Sequence, residues 1–388
     1  MKVNNVEALS EEIRGFLQTD ENQRRSKLWK PQTNNAEAYW HGRPQEGLDG
    51  IPFTVEPEHE MWAKILGFGL DEYYTQGPTY LVADLKMKIC RFENFSDGTP
   101  IGKDISLWMG AGFEASLFGL KQVYTKDKDP WIGREPLLKN KSDLNKLVTP
   151  DFYHAPVMLQ VHQMYEDMKG LSDDDFSVIM PEWCRGPFGL ACHLRGMDHI
   201  IIDMQEDPEF VHALMRFTTE ARKKWTRQRA EFMKVSIQVG SLYNDEVNVP
   251  LLSPRLYEKF ILPYEIELSK FYGVISYWHS CGNTTSLHSL IRCIPHLQMI
   301  HISPWTDLEQ SVANLADSGI ALEVVLHPLV DVQKATEEKM RSHLTHIRSV
   351  TKGIPTTVRA DGLQVISSVK EDLAKIKRWA DIAQSILG

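Results

Sequence analysis

The sequence predicts an α/β protein built as a (β/α)8 barrel, and three observations lead to this fold class. Short apolar segments alternate with longer amphipathic ones from about residue 51 onward, which is typical of repeated strand–helix units on a parallel sheet. The chain has 388 residues, a length that single barrels with added segments reach. Ionisable side chains recur where the predicted strands end, which is the face where barrel enzymes build their active sites.

The apolar segments predict the strands of the barrel at 51–55, 177–180, 235–242, 274–279, 299–303, 321–327 and 356–360, with an eighth near 105–108. The amphipathic segments predict helices at 208–232, 254–271, 287–294, 307–316, 332–350 and 369–386. Ser253-Pro254 shows how such a helix begins, because serine is a common N-cap and proline is tolerated at the first helical position.

Two segments lie outside this pattern. Residues 1–50 are polar, with a helical pattern from Val6 to Leu17, and are predicted to form an N-terminal arm or cap on a barrel domain spanning 51–388. Within 77–130, residues 85–90 alternate between apolar and polar side chains, which predicts an added antiparallel hairpin.

Composition limits the classes of function. A net charge of −9 argues against nucleic-acid binding, so a small molecule or a protein is the expected partner. No segment has the roughly 18 apolar residues that a membrane span needs, and the first residues lack the apolar core of a secretory signal. We therefore expect a cytoplasmic protein, in which the five cysteines stay free as thiols or ligands.

The segment 278–283 (WHSCGN) is the strongest candidate for chemistry. It places His279 and Cys281 at the end of a predicted strand, at alternate positions, so that both side chains can point into one pocket. Imidazole and thiolate are ligands that zinc prefers, which predicts a zinc site. The alternative is a buried histidine beside a small packing cysteine, and spacing alone favours neither.

Two further strand ends carry candidate pocket residues. After the predicted strand 177–180 come Glu182, Cys184 and Arg185, followed by the Gly186-Pro187 turn. We predict that at least one of these three side chains lines the pocket, and the alternative is a tight connection without chemistry.

Tyr243, Asp245 and Glu246 follow the predicted strand 235–242. A carboxylate there can serve as a general acid or base, a metal ligand or its hydrogen-bond partner, or an anchor for a substrate. A solvated loop is the alternative. The last strand ends add His301, Glu323 with His327, and Arg359 with Asp361 as weaker candidates.

Several motifs together resemble the uroporphyrinogen decarboxylase superfamily over roughly residues 50–388. They are 185–191 (RGPFGLA) with 194–196 (LRG), 252–254 (LSP) with Tyr257 and 263–264 (PY), and 279–283 (HSCGN). The last of these is similar to the cobamide-dependent methyltransferase branch of that superfamily. This resemblance implies that the protein is an enzyme that moves a methyl group between a small molecule and a corrinoid protein. A homodimer is the oligomeric state that the resemblance implies.

In that branch, zinc is held by histidine, cysteine and a second cysteine on the final strand. No cysteine follows Cys293 in this chain, so the resemblance implies His279 and Cys281 as ligands with Asp361 or Glu323, or else His327, as the third. An oxygen ligand in place of a thiolate makes the site harder and more Lewis acidic, which favours a methoxylated aromatic substrate over a thiol. Glu182, Asp245 and Glu246 are assigned to catalysis, and Cys184, Arg185 and Tyr243 to substrate binding.

The sequence leaves two alternatives to a methyltransferase open. A uroporphyrinogen decarboxylase would carry a Met-Arg-Gln-Ala-Gly-Arg motif near 53–55, and this chain has none there. A non-catalytic barrel that binds a corrinoid protein or a small molecule would explain the missing third cysteine. Metal content separates this binding barrel from the methyltransferase, and methyl transfer to cob(I)alamin separates the methyltransferase from the decarboxylase.

Overall fold

Eight strands surround a common core in a computed structural model that describes residues 6–31, 40–133, 135–172 and 176–388. The strands of the described residues are β1 Phe53–Pro57, β2 Asp104–Ser106, β3 Gln122–Val123, β4 Trp131–Ile132, β5 Ser177–Ile179, β6 Gly240–Tyr243, β7 Ile275–His279, β8 Met299–Ile302, β9 Ala321–Leu326 and β10 Thr356–Leu363. All except β3 and β4 belong to the barrel.

The barrel strands are parallel and follow chain order around the barrel. Six of them form one sheet in the order β1-β10-β9-β8-β7-β6, and β2 pairs with β5. The two sheets meet where Arg185, just after β5, bridges to Tyr243 at the end of β6. On the other side, the Gly98 N–H donates to the Phe53 carbonyl at the start of β1. The predicted (β/α)8 fold class is confirmed.

Helices cover the outside of the barrel and fill the connections. They are α1 Val6–Leu17, α2 Asp20–Ser26, α3 His59–Leu66, α4 Leu70–Tyr73, α5 Gly77–Asn94, α6 Phe113–Ser116, α7 Pro156–Leu171, α8 Pro187–Arg195, α9 Met197–Glu206, α10 Pro208–Met233, α11 Pro254–Phe260, α12 Leu262–Tyr272, α13 His288–Ile291, α14 Leu308–Leu315, α15 Glu337–Val350 and α16 Val369–Leu387. Short 3-10 turns at Lys141–Lys146 and Thr285–Leu287 and a π-helical turn at Pro328–Gln333 complete the described structure.

The helix starts follow from local sequence. Ser253 caps α11 as predicted, its Oγ accepting a hydrogen bond from the Leu256 N–H at 3.3 Å. Asp307, Thr336 and Ser368 cap α14, α15 and α16 in the same way. Proline occupies an early position in α8 and α10, where its missing N–H is not needed.

Several boundaries differ from the sequence prediction. The predicted strand 235–242 is regular only from Gly240, because residues 235–239 have no strand partner. The predicted helix 254–271 divides at Ile261, next to Pro263, since proline cannot donate within a continuous helix.

The predicted hairpin is wrong for residues 85–90. They lie inside α5, whose buried face includes Leu81, Leu85, Ile89 and Phe92, a spacing of three and four that fits a helix. The short alternating window was ambiguous, and the longer apolar pattern decides in favour of the helix. The antiparallel pair nearby is β3 with β4, two residues each.

The N-terminal arm packs against the barrel. Val6, Leu9 and Ile13 of α1 are buried, and Trp29 donates from its indole to the Gly98 carbonyl at 2.8 Å. Arg43 donates to the Gly319 carbonyl in the turn just before β9, so this part of the arm lies at the amino-terminal end of the strands. Residues 1–5 and 32–39 of the predicted arm lie outside the described residues.

No helix in the described ranges combines the length and the apolar character that a membrane span requires.

Candidate active site

A cavity of about 580 Å³ occupies the barrel interior and its mouth. Its walls combine aromatic rings with carboxylates. The residues that line it include Trp40, His41, Glu56, Glu58, Trp108, Glu114, Trp131, Glu182, Cys184, Tyr243, Tyr277, His279, Arg359 and Asp361. The volume is in the range of small-molecule sites.

Three potential metal ligands converge beside this cavity. His279 Nε2 lies 3.0 Å from Asp245 Oδ1 and 3.2 Å from Cys281 Sγ. All three ligand atoms lie within 4.8 Å of one another, and no other such group of three occurs among the described residues. His279 is buried whereas Cys281 is exposed, so the group is open on one side.

Close contacts between loops bring the three residues together. The Asn244 N–H donates to the His279 carbonyl at 2.8 Å, which sets Asp245 next to the end of β7. Gly282 allows the loop after β7 to approach Asn248, because a Cβ at residue 282 would lie 2.3 Å from the Asn248 Cβ. Gly186 similarly faces Asn244, whose Oδ1 would be 1.9 Å from an added Cβ. These contacts explain the glycines of both motifs.

The charges of His279 and Asp245 stabilise each other. Burial works against a charged His279, but the adjacent Asp245 carboxylate outweighs burial and raises the pKa of His279 to about 10. Burial also opposes ionisation of Asp245, yet His279 and Arg185 hold its pKa well below the usual value. Burial raises the pKa of the Cys281 thiol.

The donor set fits zinc. Nitrogen, sulfur and oxygen ligands around tetrahedral zinc stand roughly 3.2–3.8 Å apart, close to the separations of 3.0 and 3.2 Å at His279. Three protein ligands with one exposed side are the arrangement of a catalytic zinc site, which keeps its fourth position for a substrate.

The second nitrogen of His279 faces a buried polar cluster inside the barrel. Its Nδ1 lies 3.4 Å from the Tyr277 hydroxyl, and this hydroxyl contacts His301 Nδ1 at 2.9 Å and donates to Glu323. Glu323 also accepts from His41 Nδ1 at 2.9 Å. We name His41, Tyr277, His301 and Glu323 the interior cluster.

The residues predicted from the sequence as the third ligand do not belong to the group around His279. Glu323 belongs to the interior cluster, and Asp361 lies 3.3 Å from Arg359 Nε, so neither is in the group around His279. His327 caps the π-helical turn, its Nδ1 accepting from the Leu329 and Val330 N–H groups. Asp245, predicted as catalytic, takes the place next to His279.

The other predicted pocket residues divide into two sets. Glu182, Cys184 and Tyr243 line the cavity, and burial raises the pKa of the Cys184 thiol to about 12, so this thiol stays protonated. Arg185 and Glu246 form a buried ion pair at 2.7 Å that does not line the cavity.

Arg185 contacts the residues around Asp245, and its predicted role in substrate binding stays a prediction. Its Nη2 lies 3.6 Å from Asp245, and its backbone N–H donates to Glu114 at 2.9 Å. Glu246 also contacts His193 at 3.0 Å. These contacts hold the Asp245 loop in place.

Glu58 is an acid that the sequence did not suggest. It follows β1, and burial, assisted by the charge of Asp361, raises its pKa to about 7. A carboxyl group that is half neutral near pH 7 is suited to proton transfer. It faces the same cavity as His279.

This raised pKa predicts a pH-dependent effect of Glu58→Gln on stability. The folded protein holds a proton on Glu58 that the unfolded chain releases near pH 4.5, so the carboxylate costs stability as pH rises from about 4.5 to 7. We expect the variant to match the wild type at pH 5 and to be more stable by roughly 1–2 kcal/mol at pH 8. Urea unfolding at both pH values measures this, with exposed Glu338→Gln as the control.

Two members of the interior cluster also escaped the sequence analysis. Tyr277 is two residues before His279 on β7, so strand alternation places both side chains on one face and could have identified it. His41 lies in the polar arm without a periodic pattern, and no local signal points to its contact with Glu323, 282 positions away.

Comparisons with known proteins agree with this architecture. The sequence model of the family described as uroporphyrinogen decarboxylase (URO-D) matches residues 106–371. A solved methyltransferase from Methanosarcina mazei is similar in fold, with a TM-score of 0.63 and 14% sequence identity over 87% of this chain and 95% of that chain. A comparison with curated protein sequences gave no match. Because the family match extends over more than half of the chain and includes both glycine motifs of the site, the protein belongs to the uroporphyrinogen decarboxylase family.

Proposed function

We propose that this protein is a zinc-dependent methyltransferase that moves a methyl group between a small methoxylated aromatic substrate and a corrinoid protein. The convergence of Asp245, His279 and Cys281 beside the cavity carries this proposal. The likeness in fold to a methyltransferase supports it.

Asp245, His279 and Cys281 would hold the zinc ion. When bound, zinc supplies Lewis acidity toward a substrate oxygen or sulfur, and a corrinoid on a partner protein supplies the cobalt that gives or takes the methyl group. One thiolate, one imidazole and one carboxylate form a harder site than two thiolates and one imidazole. This choice of ligands favours an oxygen-bound methyl group.

The cavity residues then orient the substrate. Trp108 and Trp131 supply aromatic surface against which a ring can stack. Arg359 is buried, and its Nη1 has no hydrogen-bond partner among the described residues, so Nη1 can donate to a substrate oxygen while Nε faces Asp361 at 3.3 Å. Glu58 is positioned at the same cavity to return a proton to the oxygen that loses the methyl group.

The charge of the cavity counts against the decarboxylase alternative. Eight aspartates and glutamates line it, against three lysines and arginines. A polyanionic substrate would be repelled by this excess of carboxylates. A neutral aromatic ether has no such penalty.

Metal analysis of the purified protein tests the proposal. Inductively coupled plasma mass spectrometry is expected to find close to one zinc per chain in the wild type and none in His279→Ala. His154→Ala, which changes an exposed histidine that does not line the cavity, should retain the zinc. A wild type that stays zinc-free after zinc is supplied would refute the metal assignment.

Methyl transfer is the second part of the same test. The wild type with a methoxylated phenol and cob(I)alamin is expected to yield methylcob(III)alamin and the demethylated phenol, followed by the change in corrinoid absorbance. His279→Ala should show no transfer above the rate without enzyme. Transfer from a methylthiol but from no aromatic ether would contradict the substrate class and retain the reaction type.

A further inference from the structure

We propose that Tyr277 is a positioning residue that fixes the His279 ring for metal binding, and that His41 of the N-terminal arm holds Tyr277 and Glu323 in place for this task. The inference rests on the proposed zinc site and deepens it. It concerns groups on the barrel interior side of His279, away from Asp245 and Cys281.

The contacts of His279 distinguish its two ring nitrogens. Its Nε2 faces Asp245 and Cys281 at 3.0 and 3.2 Å, so Nε2 is the nitrogen that would bind the metal. Nδ1 then carries the proton, and the nearest acceptor is the Tyr277 hydroxyl at 3.4 Å. Metal-binding histidines usually donate this second N–H to a fixed acceptor, which sets both the tautomer and the ring orientation.

The Tyr277 hydroxyl has three hydrogen-bond partners. A phenolic hydroxyl has one proton to donate and can accept two. Its proton goes to the Glu323 carboxylate, because a carboxylate only accepts. The two lone pairs are then available to the Nδ1 atoms of His279 and His301. Every polar partner of the hydroxyl is satisfied only if His279 donates from Nδ1.

Glu323 is held by His41 and lies near Arg359. It is 3% exposed, and an ionised carboxylate at such a depth requires several partners. His41 donates to it at 2.9 Å, and Arg359 Nη1 lies 3.9 Å away. Burial opposes its ionisation, but His41 and Arg359 keep the pKa of Glu323 well below its usual value.

The His41 ring packs against Tyr277. It stacks on Tyr277 with ring centroids 3.9 Å apart and an interplanar angle of 14°. His41 therefore restrains the tyrosine ring by contact and its acceptor, Glu323, by a hydrogen bond. The path from the arm to the metal group is complete: His41 to Glu323, Glu323 to Tyr277, and Tyr277 to His279.

The test is the zinc affinity of Tyr277→Phe, measured by competition with a chromophoric chelator. The variant keeps the ring and its stacking on His41 and removes only the hydroxyl. We expect the dissociation constant for zinc to rise by about 10- to 100-fold, while the melting temperature of the zinc-free protein changes little. With Co²⁺ in place of zinc, the visible absorption bands should shift, because they report ligand geometry.

Tyr243→Phe is the matched control. Its ring also stacks near His279, with centroids 5.1 Å apart, but it offers no hydroxyl to Nδ1, so zinc affinity should be unchanged. His41→Phe keeps an aromatic ring against Tyr277 and removes the hydrogen bond to Glu323. We expect a smaller rise, roughly 3- to 10-fold, and no further rise when it is combined with Tyr277→Phe.

The outcomes separate this inference from the proposed function. Wild-type affinity in both Tyr277→Phe and His41→Phe, in a protein that loses zinc with His279→Ala, would overturn the inference and leave the zinc site standing. Equal losses in Tyr277→Phe and Tyr243→Phe would also overturn it, because the effect would then be general packing. A wild type that binds no zinc would refute both. If Tyr277→Phe fails to fold, His41→Phe decides.

Discussion

Replacing Asp245 with alanine is expected to weaken zinc binding more than 100-fold, whereas Asp361→Ala should leave zinc affinity within a factor of about 3. Even hydrogen-bond partners of metal ligands are worth about 10- to 100-fold in affinity, and Asp245 is placed as a ligand itself, 3.0 Å from His279 Nε2. Asp361 lies beside Arg359 instead. Chelator competition on both variants provides the measurement.

The same two variants distinguish Asp245 from Asp361 as the third ligand of zinc. Loss of zinc in Asp361→Ala with retention in Asp245→Ala would restore the ligand predicted at the final strand. Asp245 also neutralises part of the Arg185 charge at 3.6 Å, so the melting temperature of zinc-free Asp245→Ala should be measured beside that of the zinc-free wild type. An affinity loss without a comparable loss of stability identifies a ligand.

Replacing Arg222 with methionine is expected to destabilise the fold by about 2–5 kcal/mol, since each buried acceptor left without its donor costs about 1–3 kcal/mol. Arg222 is 1% exposed and lies in α10, where its guanidinium donates to the Arg185 carbonyl at 3.1 Å and to the Ser241 carbonyl at 2.6 Å. It thus joins the two strand ends where β5 and β6 meet through a single bridge. The variant leaves buried carbonyls without donors.

Urea unfolding of Arg222→Met measures this effect, with Lys224→Met as the control on an exposed position of the same helix. The control should change the unfolding midpoint little. A stability of Arg222→Met within 1 kcal/mol of the wild type would show that the backbone bridge alone holds the two strands together. Zinc affinity should fall as well, since β6 leads into the Asp245 loop.

The fold was predictable because its signals are local and repeated. Each strand from β7 to β10 is a short apolar segment between turn residues. Of the two failures, one has a local cause and the other a tertiary one. Residues 85–90 form too short a window to distinguish alternation from a helix, and the 235–239 segment resembles a strand but has no partner, which is a tertiary property.

The candidate site was only partly predictable, for a physical reason. His279 and Cys281 share one segment, so their proximity follows from strand alternation. The place of Asp245 depends on how closely the loops after β6 and β7 approach, and this is set by Gly282 against Asn248. The sequence assigned Asp245 to catalysis, and a metal ligand or its partner and an anchor for a substrate were the other roles considered. Neither periodicity nor spacing contains the distance that decides between these roles.

The contact between His41 and the barrel has a consequence for the order of assembly. During synthesis His41 leaves the ribosome long before Glu323 and Arg359, its neighbours around the interior cluster. Its hydrogen-bond acceptor, Glu323, is not available until β9 has joined the sheet, and contacts of such sequence separation form late. We expect amides near His41 to acquire protection from hydrogen exchange after those of β7 and β8. A segment made early in synthesis would then be among the last to become ordered.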